Sequence, residues 1–183
     1  MARVLMPLAQ GCEELEAVTV IDLLRRAGIE VVTAGLEEGP VTCSRGVVLL
    51  PDTRLDEVLD EDFDMLVLPG GLPGADHLDN DERIKVLLRR MAEQGKYTAA
   101  ICAAPKVLAS AGLLENRRAT SYPGVLDALD LPRTHRLNQP VVVDAGVITS
   151  RGPGTAMDFA LELIGQLAGE EQRQAVESGL VRP

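Results

Sequence analysis

Cys102 is the residue whose position best suits chemistry. It lies where the apolar segment Tyr97–Ile101, which is typical of a buried strand, passes directly into a predicted helix near Pro105. A nucleophile at such a turn is held in a strained backbone conformation that a substrate can approach closely. The N-terminus of the following helix is partially positive, which would lower the thiol pKa and favour the thiolate. We therefore predict that Cys102 is a reactive thiol; the alternative is an inert buried cysteine.

A group of carboxylates opens the predicted helix Glu13–Arg26. Acidic side chains at a helix N-terminus complement the helix dipole, and this explains at least one of them. Glu13 and Glu16 also share helical faces with apolar residues, where desolvation would raise the carboxyl pKa. A protonated carboxyl could donate a hydrogen bond to a thiolate or relay protons to a substrate. Spacing alone leaves open which of the two glutamates does this.

Gly70 and Gly71 follow another predicted buried strand, Asp64–Leu68. Paired glycines expose backbone N–H groups, so this loop could form an oxyanion hole beside Cys102. The alternative is a tight strand-to-helix turn. The loop matches neither the Walker A nor the GxGxxG pattern, so nucleotide binding is poorly supported. The segment Ser150–Thr155 is interpreted first as a helix start and second as an anion site.

The histidines and cysteines of the sequence do not favour a Cys–His hydrolase or a metal site. The two histidines, His77 and His135, lie in contexts typical of surface residues, which disfavours a Cys–His hydrolase. The three cysteines are odd in number and include no CxxC pair, so they predict neither a disulfide framework nor a zinc site. This pattern fits a reducing cytoplasm. We expect no metal and no organic cofactor.

The composition of the chain argues against nucleic acid and membranes as binding partners. The chain has 183 residues and a net charge of −10, with 28 acidic against 18 basic side chains. Nucleic-acid binding requires a basic face, so nucleic acid is an unexpected partner. The length fits one domain, residues 1–183. A stretch with one charge, Tyr97–Leu114, contains Pro105 and Lys106 and is interpreted as a buried strand and helix; no membrane partner is expected.

Apolar periodicity alternates between strand and helix along the chain. Predicted strands are Arg3–Leu8, Ile29–Ala34, Asp64–Leu68 and Tyr97–Ile101, with hairpins at Pro40–Cys43/Val47–Leu50 and Val141–Asp144/Val147–Ser150. Predicted helices are Glu13–Arg26, Asp81–Glu93, Pro105–Ala111, Gly154–Leu167 and Glu170–Ser178. This order predicts an α/β fold, in which helices cover both faces of a parallel sheet and ligands bind beyond the carboxyl ends of the strands. The irregular segment Thr120–Pro140 is expected to cover the site.

Several motifs in fixed order resemble the DJ-1/ThiJ/PfpI superfamily, most closely the branch that contains the Parkinson-disease protein. The resemblance runs from Arg3 to Leu180. The motifs are Gly11–Glu16, Cys43–Arg45, Leu68–Gly71, Ala100–Pro105 and Thr149–Thr155.

The resemblance implies a flavodoxin-like three-layer sandwich with a mainly parallel central sheet, and a homodimer. It implies that Cys102 is the reactive thiol and selects Glu16 as the carboxylic acid hydrogen-bonded to it. Its other implied site residues are Glu13 nearby, Gly70, Gly71 and Ala103 as backbone N–H donors, and Arg45 with Cys43 towards the dimer interface. Where many members have a histidine over the site, this chain has Tyr122, which is a poor base at neutral pH.

The resemblance also implies a function. We expect a stress-protection protein of glyoxalase or deglycase type, which converts methylglyoxal, glyoxal or their adducts into hydroxy acids through Cys102. The alternative is an oxidation sensor or redox-regulated chaperone, in which Cys102 is oxidised to sulfinic acid. A third possibility is a scaffold whose role is to bind a partner. Proteolysis is disfavoured because Ala103 stands where the protease-like branch has a histidine.

Overall fold

The computed structural model describes residues 1–183. Its strands are β1 (Arg3–Leu8), β2 (Glu30–Gly35), β3 (Val41–Thr42), β4 (Val48–Leu49), β5 (Thr53–Arg54), β6 (Met65–Leu68), β7 (Tyr97–Ile101), β8 (Arg118–Ala119), β9 (His135–Arg136), β10 (Val141–Asp144) and β11 (Val147–Ser150). Its helices are α1 (Glu14–Arg26), α2 (Leu55–Val58), α3 (Gly74–Asn80), α4 (Glu82–Glu93), α5 (Pro105–Ser110), α6 (Ala156–Ala168, after a 3₁₀ turn at Pro153–Thr155) and α7 (Glu170–Gly179).

A seven-stranded sheet forms the middle layer, in the order β10-β11-β7-β6-β1-β2-β5. Neighbouring strands are parallel except β10 and β11, which form an antiparallel hairpin. The inner order β2-β1-β6-β7-β11 is that of flavodoxin-like sheets, in which the chain reverses direction beside its first strand. The predicted α/β fold with a mainly parallel sheet is confirmed.

Side chains of each central strand alternate between two apolar clusters, because successive residues of a strand point to opposite faces. Val4 and Met6 of β1 contribute to the cluster under α1, α6 and α7. Leu5, between them, contributes to the cluster under α3, α4 and α5. Helices therefore cover both faces, which makes three layers. None of the helices is long and apolar enough to cross a membrane.

The register of the sheet places the candidate site residues at one edge. Leu68 at the end of β6 lies opposite Ala100 of β7, and Ile101 at the end of β7 lies opposite Ser150 of β11. The loops that follow these strands are therefore adjacent, although they are distant in sequence. This is the carboxyl edge at which parallel sheets bind ligands.

The predicted elements differ from the structure mainly where they are short. The first hairpin is present, but each arm is a two-residue strand, β3 or β4, and the pair forms a sheet of its own. Strands β5, β8 and β9 and helices α2 and α3 lie outside the predicted elements. Strand β5 has two residues and pairs only with Ala34 and Gly35, so it has no period that a sequence could display.

Candidate active site

Cys102 has the strained turn that the sequence predicts. Its φ is 65°, in the left-handed region that non-glycine residues rarely adopt. Two backbone hydrogen bonds hold it there: Cys102 N–H donates to Ser150 O (3.0 Å), and Tyr122 N–H donates to Cys102 O (2.8 Å). The residue is 8% exposed, so its thiol is almost enclosed by the protein.

Gly70 lets two loops meet at this turn. A Cβ at position 70 would lie 2.6 Å from Cys102 Cβ and 2.8 Å from Ile101 O, which is closer than atoms pack. Glycine is therefore required here by the close approach of the β6 loop to the thiol. The two interpretations of this glycine loop, a tight turn and a functional loop beside the thiol, are therefore compatible.

Glu16 is the buried carboxyl beside the thiol. It is 0% exposed, on the face of α1 that also buries Val20 and Leu23. Gly70 N–H donates to its Oε2 (3.1 Å), and hydrogen bonding between the carboxyl and the Cys102 thiol affects the pKa of both groups. Oε1 has no protein hydrogen bond of regular geometry. A carboxyl in this setting is short of the donors that an ionised group requires.

The pKa of Glu16 is raised from 4.5 to about 7. Burial is the largest cause, because it disfavours the charged carboxylate, and the negative charge of Glu13 adds to it. Hydrogen bonds from the Cys102 thiol and from Gly70 N–H act in the opposite direction and are outweighed. Glu16 therefore exchanges its proton near neutral pH.

The expectation of a lowered thiol pKa is wrong. Burial and then the charge of Glu16 raise the pKa of Cys102 from 9.0 to about 12. Hydrogen bonds to sulfur from the N–H groups of Gly71 and Ala103 lower it, but by less. The helix expected to stabilise the thiolate, α5, has six residues and begins three positions after Cys102. Desolvation by the surrounding core outweighs its dipole.

Cys102 and Glu16 are best treated as one acid–base pair. Between pH 7 and pH 12 the pair holds one proton, which can reside on sulfur or on the carboxyl. Transfer of that proton from Sγ to Glu16 creates a thiolate next to a neutral carboxylic acid. The buried site then contains one negative charge, as before, so the transfer adds no charge to the core.

The backbone donors divide into two groups, which corrects the prediction for Gly70. The N–H groups of Gly71 and Ala103 are directed to the Cys102 sulfur and donate to no backbone or side-chain oxygen. The Gly70 N–H binds Glu16 instead and is unavailable to an oxyanion. Gly70 therefore positions the carboxyl, whereas the other two donors stabilise negative charge at sulfur.

Glu13 and Glu16 have different positions, which resolves the choice that spacing left open. Glu13 is the N-cap of α1: its Oε2 accepts from Glu16 N–H (2.9 Å). Its own N–H donates to Gly70 O (2.9 Å), so the start of α1 is fastened to the glycine loop. The capping carboxylate thus fixes where α1 begins and so where Glu16 is directed.

Tyr122 lies on the irregular segment and donates its N–H to Cys102 O, and Arg151 follows Ser150, whose carbonyl accepts from Cys102 N–H. They line a cavity of about 260 Å³ together with Thr120, Ser121 and Arg136. The Tyr122 side chain is half-exposed, and its hydroxyl makes no hydrogen bond to the protein. The segment therefore meets the site through the backbone of Tyr122.

Glu14 was not singled out as a site residue, and it has a structural role. Its carboxylate accepts from Ser44 Oγ (3.1 Å) and from Arg45 N–H (2.9 Å), which joins α1 to the β3–β4 turn. Burial raises its pKa, but these hydrogen bonds outweigh burial, so the pKa lies below its ordinary value. The Arg45 side chain is exposed and has no ion-pair partner. The Ser-Arg-Gly turn at residues 44–46 was the signal in the sequence, because its exposed N–H and hydroxyl groups can bind a nearby carboxylate.

The remaining candidate groups are dispersed. No group of three or more His, Cys, Asp or Glu side chains forms a cluster that could hold a metal ion. His77 on α3 and His135 on β9 are both exposed. The groups that the fold brings together at this edge are the Cys102 thiol, the Glu16 carboxyl and the backbone donors.

This geometry has close counterparts among known proteins. The chain is 46% identical to Protein dj-1beta of Drosophila melanogaster over 178 residues, 97% of this chain and 95% of that protein. The crystal structure of Drosophila melanogaster DJ-1beta superposes with a TM-score of 0.94 over 100% of this chain and 98% of that one. Oxidised Toxoplasma gondii DJ-1, 39% identical, also superposes with a TM-score of 0.94 (99% and 98% covered).

A relative with a named activity matches over a similar length. Glutathione-independent glyoxalase DJR-1.2 of Caenorhabditis elegans is 36% identical over 175 residues, 96% of this chain and 92% of that protein. The family model DJ-1/PfpI matches residues 2–166. The chain therefore belongs to the DJ-1/PfpI family.

Proposed function

We propose that this protein is a cofactor-independent glyoxalase that converts methylglyoxal and related reactive carbonyls, free or as adducts on amines and thiols, into hydroxy acids. The observation that carries the proposal is the buried pair of Cys102 and Glu16, in which a carboxyl that titrates near pH 7 lies beside a nucleophile. Such a carboxyl can both accept and return protons at physiological pH. The name of the Caenorhabditis elegans relative agrees with this reaction class.

The first step forms a carbon–sulfur bond. Glu16 accepts the proton of the Cys102 thiol, and Sγ attacks the aldehyde carbon of methylglyoxal. The electron pair of the C=O bond moves to oxygen. As negative charge moves from sulfur to an oxygen two bonds away, the N–H groups of Gly71 and Ala103 can follow it, because neither has another oxygen to bind. Glu16 then returns the proton and a hemithioacetal results.

The next steps are an internal oxidation and reduction. Glu16 removes the hydrogen of the former aldehyde carbon as a proton, which leaves an enediolate, and the hydroxyl proton on that carbon's oxygen moves to the neighbouring oxygen. Glu16 then returns the proton to the neighbouring carbon. The first carbon is thereby oxidised to a thioester and the second is reduced to a hydroxyl-bearing carbon. Water cleaves the thioester, which releases lactate and restores the Cys102 thiol. The sum is methylglyoxal plus water giving lactate, without an external electron acceptor.

A specific observation also favours the second function, oxidation sensing. Two peroxide molecules can each transfer one oxygen atom to Cys102, giving sulfinic acid and two molecules of water or alcohol. Protonated Glu16 can donate to a sulfinate oxygen, and the N–H groups of Gly71 and Ala103 can donate to the same group. A chaperone activity that depends on this oxidation would use the same residue.

One paired experiment tests both functions. We expect the wild-type protein to form lactate from methylglyoxal without added glutathione or metal. Cys102→Ser should form none, because Glu16 cannot deprotonate a serine hydroxyl as it can a thiol. Mass spectra of both proteins after mild peroxide should show two added oxygens at Cys102 in the wild type. Equal lactate formation by both proteins would overturn the enzyme proposal. A wild-type mass without the two oxygens would overturn the sensor.

The exposed apolar side chains near the site support a homodimer. Leu15 and Val18 on α1 are 51% and 44% exposed, and Val48 and Leu50 on the β3–β4 hairpin are 59% and 79% exposed. Val18 and Leu50 line the same open groove, so exposed apolar side chains from the helix and from the hairpin lie on one face of the molecule. Surfaces of this kind mark protein–protein contacts. We infer that a second copy of the chain covers it, with Arg45 at its edge.

Sedimentation tests the homodimer. The wild-type protein should sediment with twice the 19.6 kDa mass of the chain at micromolar concentration. Leu50→Asp should shift it towards the monomer, since Leu50 contributes little to the core of its own chain and a carboxylate at the interface would be desolvated. A wild-type monomer at that concentration would contradict the inference.

A further inference from the structure

Two cysteines outside the proposed reaction lie side by side. The sulfur atoms of Cys12 and Cys43 are 3.6 Å apart, although the residues are 31 positions apart in sequence. Both are free thiols and both are buried, with exposed fractions of 0% and 4%. The odd cysteine count in the sequence concealed this pair, because only the fold brings residue 12 to residue 43.

The backbone holds the pair together on both sides. Gly11 N–H donates to Thr42 O (2.8 Å), and Ser44 N–H donates to Cys12 O (2.8 Å). The loop before α1 and the first hairpin are therefore hydrogen-bonded immediately before and after the two thiols. A disulfide requires the sulfurs to close to ~2.05 Å, which side-chain rotation can provide once the backbones are already neighbours.

We propose that Cys12 and Cys43 are a peroxide-oxidisable dithiol that forms an intramolecular disulfide, distinct from the chemistry of Cys102. The exposed turn Arg45–Gly46 adjoins Cys43, so opening of this turn admits a small oxidant to that sulfur first. Cys43 is thus the sulfur that reacts with the oxidant, and Cys12 is the resolving thiol.

The chemistry balances with a hydroperoxide as the oxidant. The Cys43 thiol takes one oxygen from the peroxide, which is reduced to water or an alcohol, and becomes a sulfenic acid. Cys12 attacks that sulfur, the S–S bond forms and one water leaves. Two thiols are oxidised by two electrons in total, and a dithiol reductant reverses the reaction.

The disulfide would lie close to the Cys102 site. A Cβ at Gly74 would lie 2.6 Å from Cys12 Cα, and a Cβ at Gly71 would lie 2.8 Å from the Cys12 carbonyl carbon. Cys12 is therefore packed against the loop whose Gly71 N–H is directed to the reactive sulfur. A bond from Cys12 to Cys43 would attach the hairpin to that loop and restrict the unfolded chain, which stabilises the folded protein.

The test separates the pair from Cys102. We would treat folded Cys102→Ser with hydrogen peroxide and follow free thiols, intact mass and non-reducing peptide maps. We expect both thiols to be lost, the mass to fall by two hydrogen atoms, and a peptide linking Cys12 to Cys43 to appear and to vanish with a reductant. The oxidised protein should also unfold at a higher urea concentration than the reduced one.

The controls are Cys12→Ala and Cys43→Ala, each combined with Cys102→Ser, and neither should lose two hydrogens. If these variants fail to fold, the peptide map of the wild-type protein decides, because it requires no substitution. Two thiols that remain titratable after peroxide, separate oxygen adducts at the two sulfurs, or a linkage between two copies would each overturn the proposal. Failure here leaves the Cys102 reaction unaffected, because lactate formation is measured independently.

Discussion

Glu16→Gln is expected to lower the turnover of methylglyoxal by about 100-fold or more, which is the usual effect of removing a general acid–base group. Glutamine has nearly the shape of a protonated glutamate. Its carbonyl oxygen can accept from Gly70 N–H as Oε2 does, and its NH₂ can donate to the Cys102 sulfur. It has no site for the proton of the thiol or of the substrate. The variant therefore retains the hydrogen bonds and loses the proton transfer.

The pH dependence distinguishes this loss from a structural defect. The wild-type rate should rise through an apparent pKa of about 7, as Glu16 loses its proton and becomes able to accept that of Cys102. The rate of Glu16→Gln should lack this inflection. Both profiles can be measured by lactate formation, and alkylation of Cys102 by iodoacetamide reports the thiol without any substrate.

Glu14→Gln is the matched control, since it makes the same change two residues away on α1. Its carboxylate binds the β3–β4 turn and does not contact the thiol. We expect its turnover to stay within a few-fold of the wild type and its inflection near pH 7 to persist. Wild-type turnover in Glu16→Gln, or an unchanged inflection, would show that Glu16 carries no proton in the reaction.

Glu16→Gln is also expected to stabilise the folded protein at pH 8 by about 3 kcal/mol, relative to wild type. The figure follows from the change of the Glu16 pKa from 4.5 in the unfolded chain to about 7 in the folded one. Glu16 is 0% exposed, so solvent does not screen the buried charge. The neutral amide needs no ionisation in the core and avoids this penalty.

The sign of the effect sets its pH window. Between the two pKa values the folded state binds more protons than the unfolded state, so stability falls as the pH rises from 4.5 to about 7. Below pH 4.5 the carboxyl is protonated in both states and the variant should have no advantage from this source. Above pH 7 the advantage should be constant.

Urea unfolding of both proteins at pH 4.5, 6 and 8 measures this directly. The difference in free energy should grow from pH 4.5 to pH 8. Glu14→Gln should show the opposite trend, because the pKa of Glu14 is lowered in the folded protein and its carboxylate is stabilising at neutral pH. A difference between Glu16→Gln and wild type that is independent of pH would contradict the buried-charge argument.

Together the two expected results describe one compromise. On the proposed mechanism, the carboxyl that activates Cys102 above pH 7 is the same group that is expected to destabilise the fold there. An active site that trades stability for function in this way is common, because reactive groups require environments that a stable core avoids. Replacing Glu16 should expose both sides of the compromise in a single protein.

Local patterns in the sequence were enough to predict the fold class and the turn at Cys102. The alternation of strand and helix predicted the parallel sheet, because period-2 and period-3.6 patterns are properties of short segments. The turn at Cys102 was predicted for the same reason: an apolar strand beside small residues and a proline is a local signal. Spacing alone could not decide whether Glu13 or Glu16 is the buried carboxyl. The family resemblance of the motifs selected Glu16.

The tertiary structure decided what depends on distance between segments. The raised pKa of Cys102 depends on burial and on Glu16, which is 86 positions away, and both outweigh the helix dipole that the sequence suggested. The same holds for Gly70, whose N–H binds Glu16 instead of an oxyanion, and for the Cys12–Cys43 pair. Charge interactions, hydrogen bonds and bond formation depend on the distance between two groups and on the solvent around them. Spacing along the chain gives neither quantity.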